Sequence, residues 1–235
     1  MYDKTILIQG ALDIEIQFLI DNLKCTDKII IAGYEFHIGY LNNLKVVISK
    51  TQVGTINSSI ATTIGVIKFN PIFVINQGIA GAYREDINIG DIVVGEKCRN
   101  INAFSMPTKS AGDGSNPFDW QLNKRAEEIF YGNTELINSF YDFSNLNYNN
   151  SIYIGTIGSG DVFNRETDRI NWLYDIFGNV CEDMETIGTY SVCNKFDIPC
   201  IGIRIISNNE LIGKKLDKTQ SIELQKLILL FLQNI

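Results

Sequence analysis

The sequence predicts an α/β protein, a single three-layer domain over residues 1–235 in which a central mixed β-sheet is flanked by helices. Three observations carry this expectation. Short β-branched runs alternate along the chain with stretches whose apolar residues recur at helical spacing. No linker, repeat or low-complexity segment interrupts the 235 residues. The run "PCIGIRIIS" (199–207) reads as a central strand of a parallel sheet with Arg204 inside its apolar stretch. An unpaired guanidinium is costly there, so Arg204 must reach a carboxylate, a wet cleft or a ligand.

The elements follow in order. "KTILIQG" (4–10) is a strand closed by glycine, and "LDIEIQFLIDNL" (12–23) is a helix. Residues 27–51 hold three strand-like runs separated by Gly and Asn-Asn, and "INSSIATTIGVIKF" is a helix of small residues. "PIFVINQGIAGA" (71–82) is a buried strand ending in a glycine-rich loop, and 87–98 is a further strand. Residues 101–120 are aperiodic, and their Phe104, Phe118 and Trp120 suit a functional lid. Two helices (121–130 and 133–143), a strand (151–161), a helix (165–177), a segment 180–196 with a helical second half, the Arg204 strand and an amphipathic C-terminal helix (217–235) complete the pattern.

Composition narrows the function. A net charge of −7 without Lys/Arg clusters argues against nucleic acid as a partner. No apolar stretch reaches membrane-spanning length and no leader pattern opens the chain, so the expectation is a soluble, cytoplasmic protein with no membrane partner. The five cysteines form no CxxC pair and read as buried thiols of a reducing compartment. The one histidine, His37, lies in an alternating stretch and reads as structural, so neither a His-based triad nor an imidazole-ligated metal site is expected, and no cofactor is implied.

In open α/β sheets ligands collect at the carboxyl ends of the strands. Those ends carry Gly10 and then Glu15, "NQGIAGA", "GSGDVFN" and "SNNE", without a dinucleotide or P-loop fingerprint. Glycine-rich ends bearing carboxylates and an aromatic suit a small, hydroxylated, ring-bearing ligand.

"GALDIE", "INQGIAGAYREDINIGDIVVGE", "GTIGSGDVF" and "EDMETIGTYSVCNKFDIPCIGIRIIS", in that order, resemble the purine nucleoside phosphorylase/nucleosidase superfamily, with the 5′-methylthioadenosine/S-adenosylhomocysteine nucleosidases as the most similar branch. The resemblance covers nearly the whole chain except 100–145. It implies a nucleoside phosphorylase-like fold, a purine nucleoside as small-molecule partner and a homodimer. It makes Glu15 the base that activates water, Arg204 the arginine beside it that helps hold that water, and Asn208 the residue that engages the departing base. Phe163 matches the aromatic that stacks on the purine, and Met184 and Glu185 match the pair lining the ribose. Ala80, Gly81, Asn164, Asp183 and Ser207, inside the same motifs, join the substrate-binding set. The chemistry fits: cleaving an N-glycosidic bond passes through an oxocarbenium-like transition state that a carboxylate stabilises, and a held glutamate can deprotonate water. Each residue also has a plainer reading: Glu15 as an exposed helix residue, Phe163 as core, Glu185 as a first-turn acid favoured by the helix dipole.

Two departures leave alternatives open. The methylthioadenosine branch carries an aspartate where Asn208 stands, and an amide can pair with a purine edge but cannot deliver a proton. Glu210 or Asp161 is then the candidate acid, or the leaving group is a 6-oxopurine, as for futalosine-type hydrolases, or the protein binds a nucleoside with little turnover. The family's "SAG" serine is replaced by Ile79. Arg84, just past that loop, is the one residue that would favour phosphate over water, whereas Asp13 and Glu15 repel phosphate.

Overall fold

The computed structural model describes residues 4–122 and 129–235. In chain order its elements are β1 (Thr5–Gly10), α1 (Asp13–Asp21), β2 (Lys24–Ile31), β3 (Tyr34–Leu41), β4 (Leu44–Lys50), α2 (Thr55–Phe69), β5 (Phe73–Ala82), β6 (Ile92–Asn100), β7 (Phe104–Ser105), β8 (Gln121–Leu122), β9 (Ile129–Tyr131), α3 (Thr134–Asn147), β10 (Ile152–Ser159), α4 (Thr167–Phe177), β11 (Asn179–Asp183), α5 (Thr186–Phe196), β12 (Cys200–Asn208) and α6 (Gln220–Leu232).

The main sheet is mixed, in the order β11-β10-β6-β12-β5-β1-β4-β3-β2, with β9 on β6. β1, β5 and β12 run parallel side by side, while β12 meets β6 antiparallel. β11 also pairs antiparallel with β5, so five strands close into a barrel-like ring.

Side chains alternate across a strand, and that period distributes the core. Ile6 and Ile8 face a layer of α1, α3 and α6, in which Leu19, Phe140, Leu227 and Phe231 are buried. Leu7, one residue out of phase, faces α2 and α5 with Ala61, Ile187 and Tyr190. The same alternation on β12 sends Ile203 and Ile205 to the first layer and leaves Arg204 pointing to the α5 side.

Three expectations are corrected. The 121–130 helix is contradicted at both ends, by β8 and by β9, while 123–128 lie outside the described residues. β9 completes an antiparallel pairing to β6 and buries Phe130, and tertiary pairing outweighs local propensity. The glycine-rich end of 71–82 is strand, because Gly81 and Ala82 pair with β11. "NVCED" is a strand that its brevity concealed. Cys98, Cys181, Cys193 and Cys200 are buried free thiols, and the side chain of Cys25 lies outside the described residues.

α2 and α5 approach so closely at Gly188 that a β-carbon there would lie 2.6 Å from the Thr55 carbonyl and 2.9 Å from the Ser59 amide nitrogen. Backbone cannot yield as a side-chain tip can. Gly188→Ala is expected to destabilise the protein by about 1–3 kcal/mol, as a lowered urea midpoint with unchanged slope.

Candidate active site

One cleft opens where β1, β5, β11 and β12 end, lined by Glu15, Ala80, Gly81, Phe163, Asp183, Met184, Glu185, Ser207 and Asn208 of the predicted set. Leu12, Val53, Ile79, Val162 and Leu216 complete an apolar lining, the usual make-up of a small-molecule site.

Glu15 occupies the third position of α1 and bends back onto the turn that precedes it. Its Oε2 accepts from the Ala11 and Leu12 amides (2.8 and 2.9 Å), and its Oε1 accepts from the Ile79 amide of β5 (3.0 Å). A third-position glutamate reaching its own N-cap amide is one arm of a capping box; the Ile79 bond ties that arm to the neighbouring strand. Gly78 is required, because a β-carbon there would lie 2.6 Å from Glu15 Oε1. Burial raises the Glu15 pKa, against the opposing pull of these amides and of Arg204.

Arg204 does not touch Glu15, which corrects the expectation that the two are direct partners. Nε donates to Asp183 (2.5 Å), Nη1 to the Asn76 and Ile203 carbonyls (3.1 and 3.0 Å), and Nη2 to Asn76 Oδ1 and Thr186 Oγ1 (the latter 2.8 Å). A guanidinium has five N–H donors, and all are engaged, so none remains to hold a water. Arg204 lies beneath the cleft, 1% exposed. Desolvation opposes its charge, and Asp183, then Glu185 and Glu15, more than restore it.

Asp183 and Asn164 also differ from expectation. The Asp183 side chain is 1% exposed and accepts from Arg204 and from the Thr186 amide and hydroxyl, so it is committed to the protein. Asn164 gives its amide N–H to Glu182 Oε1 (2.9 Å) and its Nδ2 to Glu182 Oε2 (2.6 Å) and the Tyr83 hydroxyl (3.2 Å). Phe163 is 45% exposed beside them, with Arg165 stacked on its ring at 5.7 Å.

Glu185 accepts from the Gly54 amide at 3.0 Å. Burial first, then the charges of Asp183 and Glu15, push its pKa up to about 8. Ser207 Oγ donates to Asn208 Oδ1 (3.0 Å), which fixes the amide with Nδ2 on the other side, 3.4 Å from Glu210 Oε1. Asp161 is committed to the start of α2, where it takes the Thr55 amide and hydroxyl. Arg84 pairs with Asp86 and does not line the cleft. His37 is on β3, 3.4 Å from Glu35. No residue of 101–120 lines this cleft; Phe104 and Phe118 of the segment pack instead on Trp172 of α4.

Glu182 was not singled out from the sequence. It lies in β11, a five-residue strand buried throughout, where an acid needs partners.

The phosphorylase superfamily model matches residues 5–228. A 5′-methylthioadenosine/S-adenosylhomocysteine nucleosidase of Geobacillus sp. (strain WCH70) is 26% identical over 213 residues, covering 89% of this chain and 87% of that protein. The protein of that name from Bacillus pumilus is 28% identical over 217 residues, with the same coverages. Among solved structures, the 5′-methylthioadenosine/S-adenosylhomocysteine nucleosidase of Neisseria meningitidis in complex with methylthio-immucillin-A superposes with a TM-score of 0.82 at 21% identity, covering 99% of this chain and 100% of that one. The futalosine hydrolase of Helicobacter pylori superposes with a TM-score of 0.82 at 22% identity, covering 99% of both chains. These structural likenesses bear out the expected fold.

Removing Asp183 leaves the Arg204 guanidinium buried beside Glu15 and Glu185 without its short-range partner. Asp183→Ala is expected to lower stability by about 3–5 kcal/mol, measured by chemical denaturation. A loss under 1 kcal/mol would show that the pair is not what neutralises Arg204.

Proposed function

The chain belongs to the phosphorylase superfamily, and from that premise we propose that it is an N-glycosyl hydrolase, a purine nucleosidase that acts on 5′-methylthioadenosine and S-adenosylhomocysteine to release adenine and a thioribose. The observation that carries the reading is the buried Glu15 carboxylate, fixed by three backbone amides at the floor of an apolar-lined cleft.

In this reading the ribose lies over Met184 and Glu185, with its hydroxyls hydrogen-bonded to the Glu185 carboxyl group, and Phe163 covers the base. Glu15 takes a proton from a water whose oxygen forms the new bond to C1′. The C1′–N9 bond breaks and its electron pair leaves with the base. Positive charge gathering on the sugar is stabilised by the carboxylates facing it. Arg204 acts from below as a positioning residue: with Asp183 it anchors the start of α5, and its charge offsets part of the cost of burying Glu15 and Glu185.

Water rather than phosphate is supported by the same geometry. The amides of Ala11, Leu12 and Ile79, donors that an anion would need, are taken by Glu15, and Arg84 is paired elsewhere.

At the base, Asn208 Nδ2 donates to N7 but transfers no proton, so the departing purine draws its proton from water or through Glu210 behind the amide. A 6-oxopurine is the second reading, supported by Asn208 itself, whose amide suits the O6/N7 edge. A homodimer belongs to the proposal as well: Val53, Ile56, Ile60 and Ile67 form an exposed apolar row along α2 and the turn before it, and Val53 also lines the cleft. A single domain and a cytoplasmic location complete it.

Base release from 5′-methylthioadenosine, S-adenosylhomocysteine, inosine and futalosine, followed by chromatography, tests the reading. Adenine from the thio-nucleosides is the expected result, and no base from any of them contradicts it. Glu15→Gln is expected to lower kcat by about 10²–10⁴-fold while leaving nucleoside affinity within about threefold; an active variant removes Glu15 from the chemistry. Asn208→Asp restores a proton donor beside Glu210 and is expected to raise kcat on adenine nucleosides by about 10²-fold. No gain would remove Asn208 from the leaving group.

A further inference from the structure

Glu182, Gly81 and Asn208 lie side by side across three strands. Gly81 of β5 is paired with Glu182 on one side and with Asn208 on the other. Residues directly opposite in a ladder share a face, and a β-carbon on Gly81 would lie 3.2 Å from Asn208 Nδ2, so the Asn208 side chain stands over the glycine. Two strand spacings separate Glu182 from Asn208, roughly 10 Å, with the bare Gly81 backbone between them. That is a bed for a flat bicyclic ring, with an amide at one end and a carboxyl group at the other. Both ends line the cleft.

The carboxyl group is built into place. Oε1 accepts from the Asn164 amide (2.9 Å), and Oε2 accepts from Asn164 Nδ2 (2.6 Å) and the Tyr83 hydroxyl (2.5 Å). A carboxylate offers about four lone-pair sites, so one remains, on Oε1. The residue is 4% exposed, and a buried acid with one open site on a ligand cleft has no structural need of that site.

We infer that Glu182 reads the pyrimidine-ring edge of the leaving purine, with Tyr83 and Asn164 as its positioning residues. The inference rests on the purine-nucleoside reading and adds a determinant of base choice to it. When ionised, Glu182 accepts a hydrogen bond from the N1–H of a 6-oxopurine and repels the N1 lone pair of a 6-aminopurine. When protonated, its O–H donates to the N1 of a 6-aminopurine. Burial raises its pKa to about 7, against the hydrogen bonds from Asn164 and Tyr83, so both forms are present near neutrality. The titratable and charged groups around it are Tyr83 at the end of β5, Arg169 of α4, and Cys181 and Asp183 beside it on β11. Burial pushes Tyr83 and Cys181 up, so both stay protonated through this range.

Calorimetric affinities of free adenine and free hypoxanthine, for wild type and Glu182→Gln at about pH 6 and about pH 8, test this without requiring turnover. In the wild type the hypoxanthine-to-adenine affinity ratio is expected to rise roughly tenfold between the two pH values, the worth of one hydrogen bond to a charged group. Titration of Glu185 on the ribose side does not bear on this ratio. In Glu182→Gln the ratio is expected to stay constant with pH. Tyr83→Phe removes a donor to the ionised form, raises the Glu182 pKa and moves the transition to higher pH; this holds the test if the glutamine variant does not fold. A wild-type ratio that does not move with pH, or one that moves equally in Glu182→Gln, overturns the inference even if the enzyme releases base. Wild-type protein that binds neither base and cleaves no nucleoside fails the underlying reading as well, so the two failures are distinguishable.

Discussion

A guanidinium in the middle of the sheet has to be neutralised where it lies, and much of the site follows from how that is done. Arg204 is on a strand buried on both faces, and every N–H it owns is matched within the core. Asp183, Asn76 and Thr186 therefore have to converge on it, which ties β11, β5 and the first turn of α5 to β12. Met184 and Glu185 fall in the two-residue connection between β11 and α5, so their place at the cleft is set by that buried pair. A buried ion pair is weak evidence for stability in general. Here its effect is positional, and its positive charge lies beneath a cleft that holds Glu15, Glu182 and Glu185.

Backbone donors are the second constraint. The turn after β1 and the strand β5 bring three amides to one point, a natural anion seat. In this chain Glu15 fills the seat with its own carboxylate. The protein thus carries its anion covalently, and in the proposed reading that anion serves as the base. Opposite it, Asn208 and Glu182 stand on either side of Gly81. Replacing Glu182 by an apolar residue leaves hydrogen-bonding groups of Tyr83 and Asn164 unpaired, and replacing Asn208 removes one of the two acceptors of Ser207 Oγ.

Much of this was legible in the sequence because the cleft is assembled from strand ends, and strand ends are contiguous motifs. Glu15, Gly81, Met184, Glu185 and Asn208 each lie within a few residues of a recognisable apolar run, so topology alone gathers them. Partnership was not legible: nothing in the spacing says which of several carboxylates Arg204 meets, and the answer depends on β11 crossing back to pair with β5. Asn164 and Asp183 were expected at the ligand for the same reason, and both turn to protein partners. Glu182 escaped notice because it sits in a five-residue strand among other acids. The expected 121–130 helix failed differently: residues 121–122 pair with β7 and 129–131 with β6, partners that no local pattern names.

The central claim is that the chain transfers its nucleoside to water because Glu15 has taken the place an anion would need. Cleavage of 5′-methylthioadenosine in ¹⁸O-labelled water containing excess phosphate, with mass analysis of the sugar product, tests it most directly. The account predicts one labelled oxygen on C1′ of a free thioribose and a rate indifferent to phosphate. A sugar 1-phosphate, without label on C1′, would contradict it.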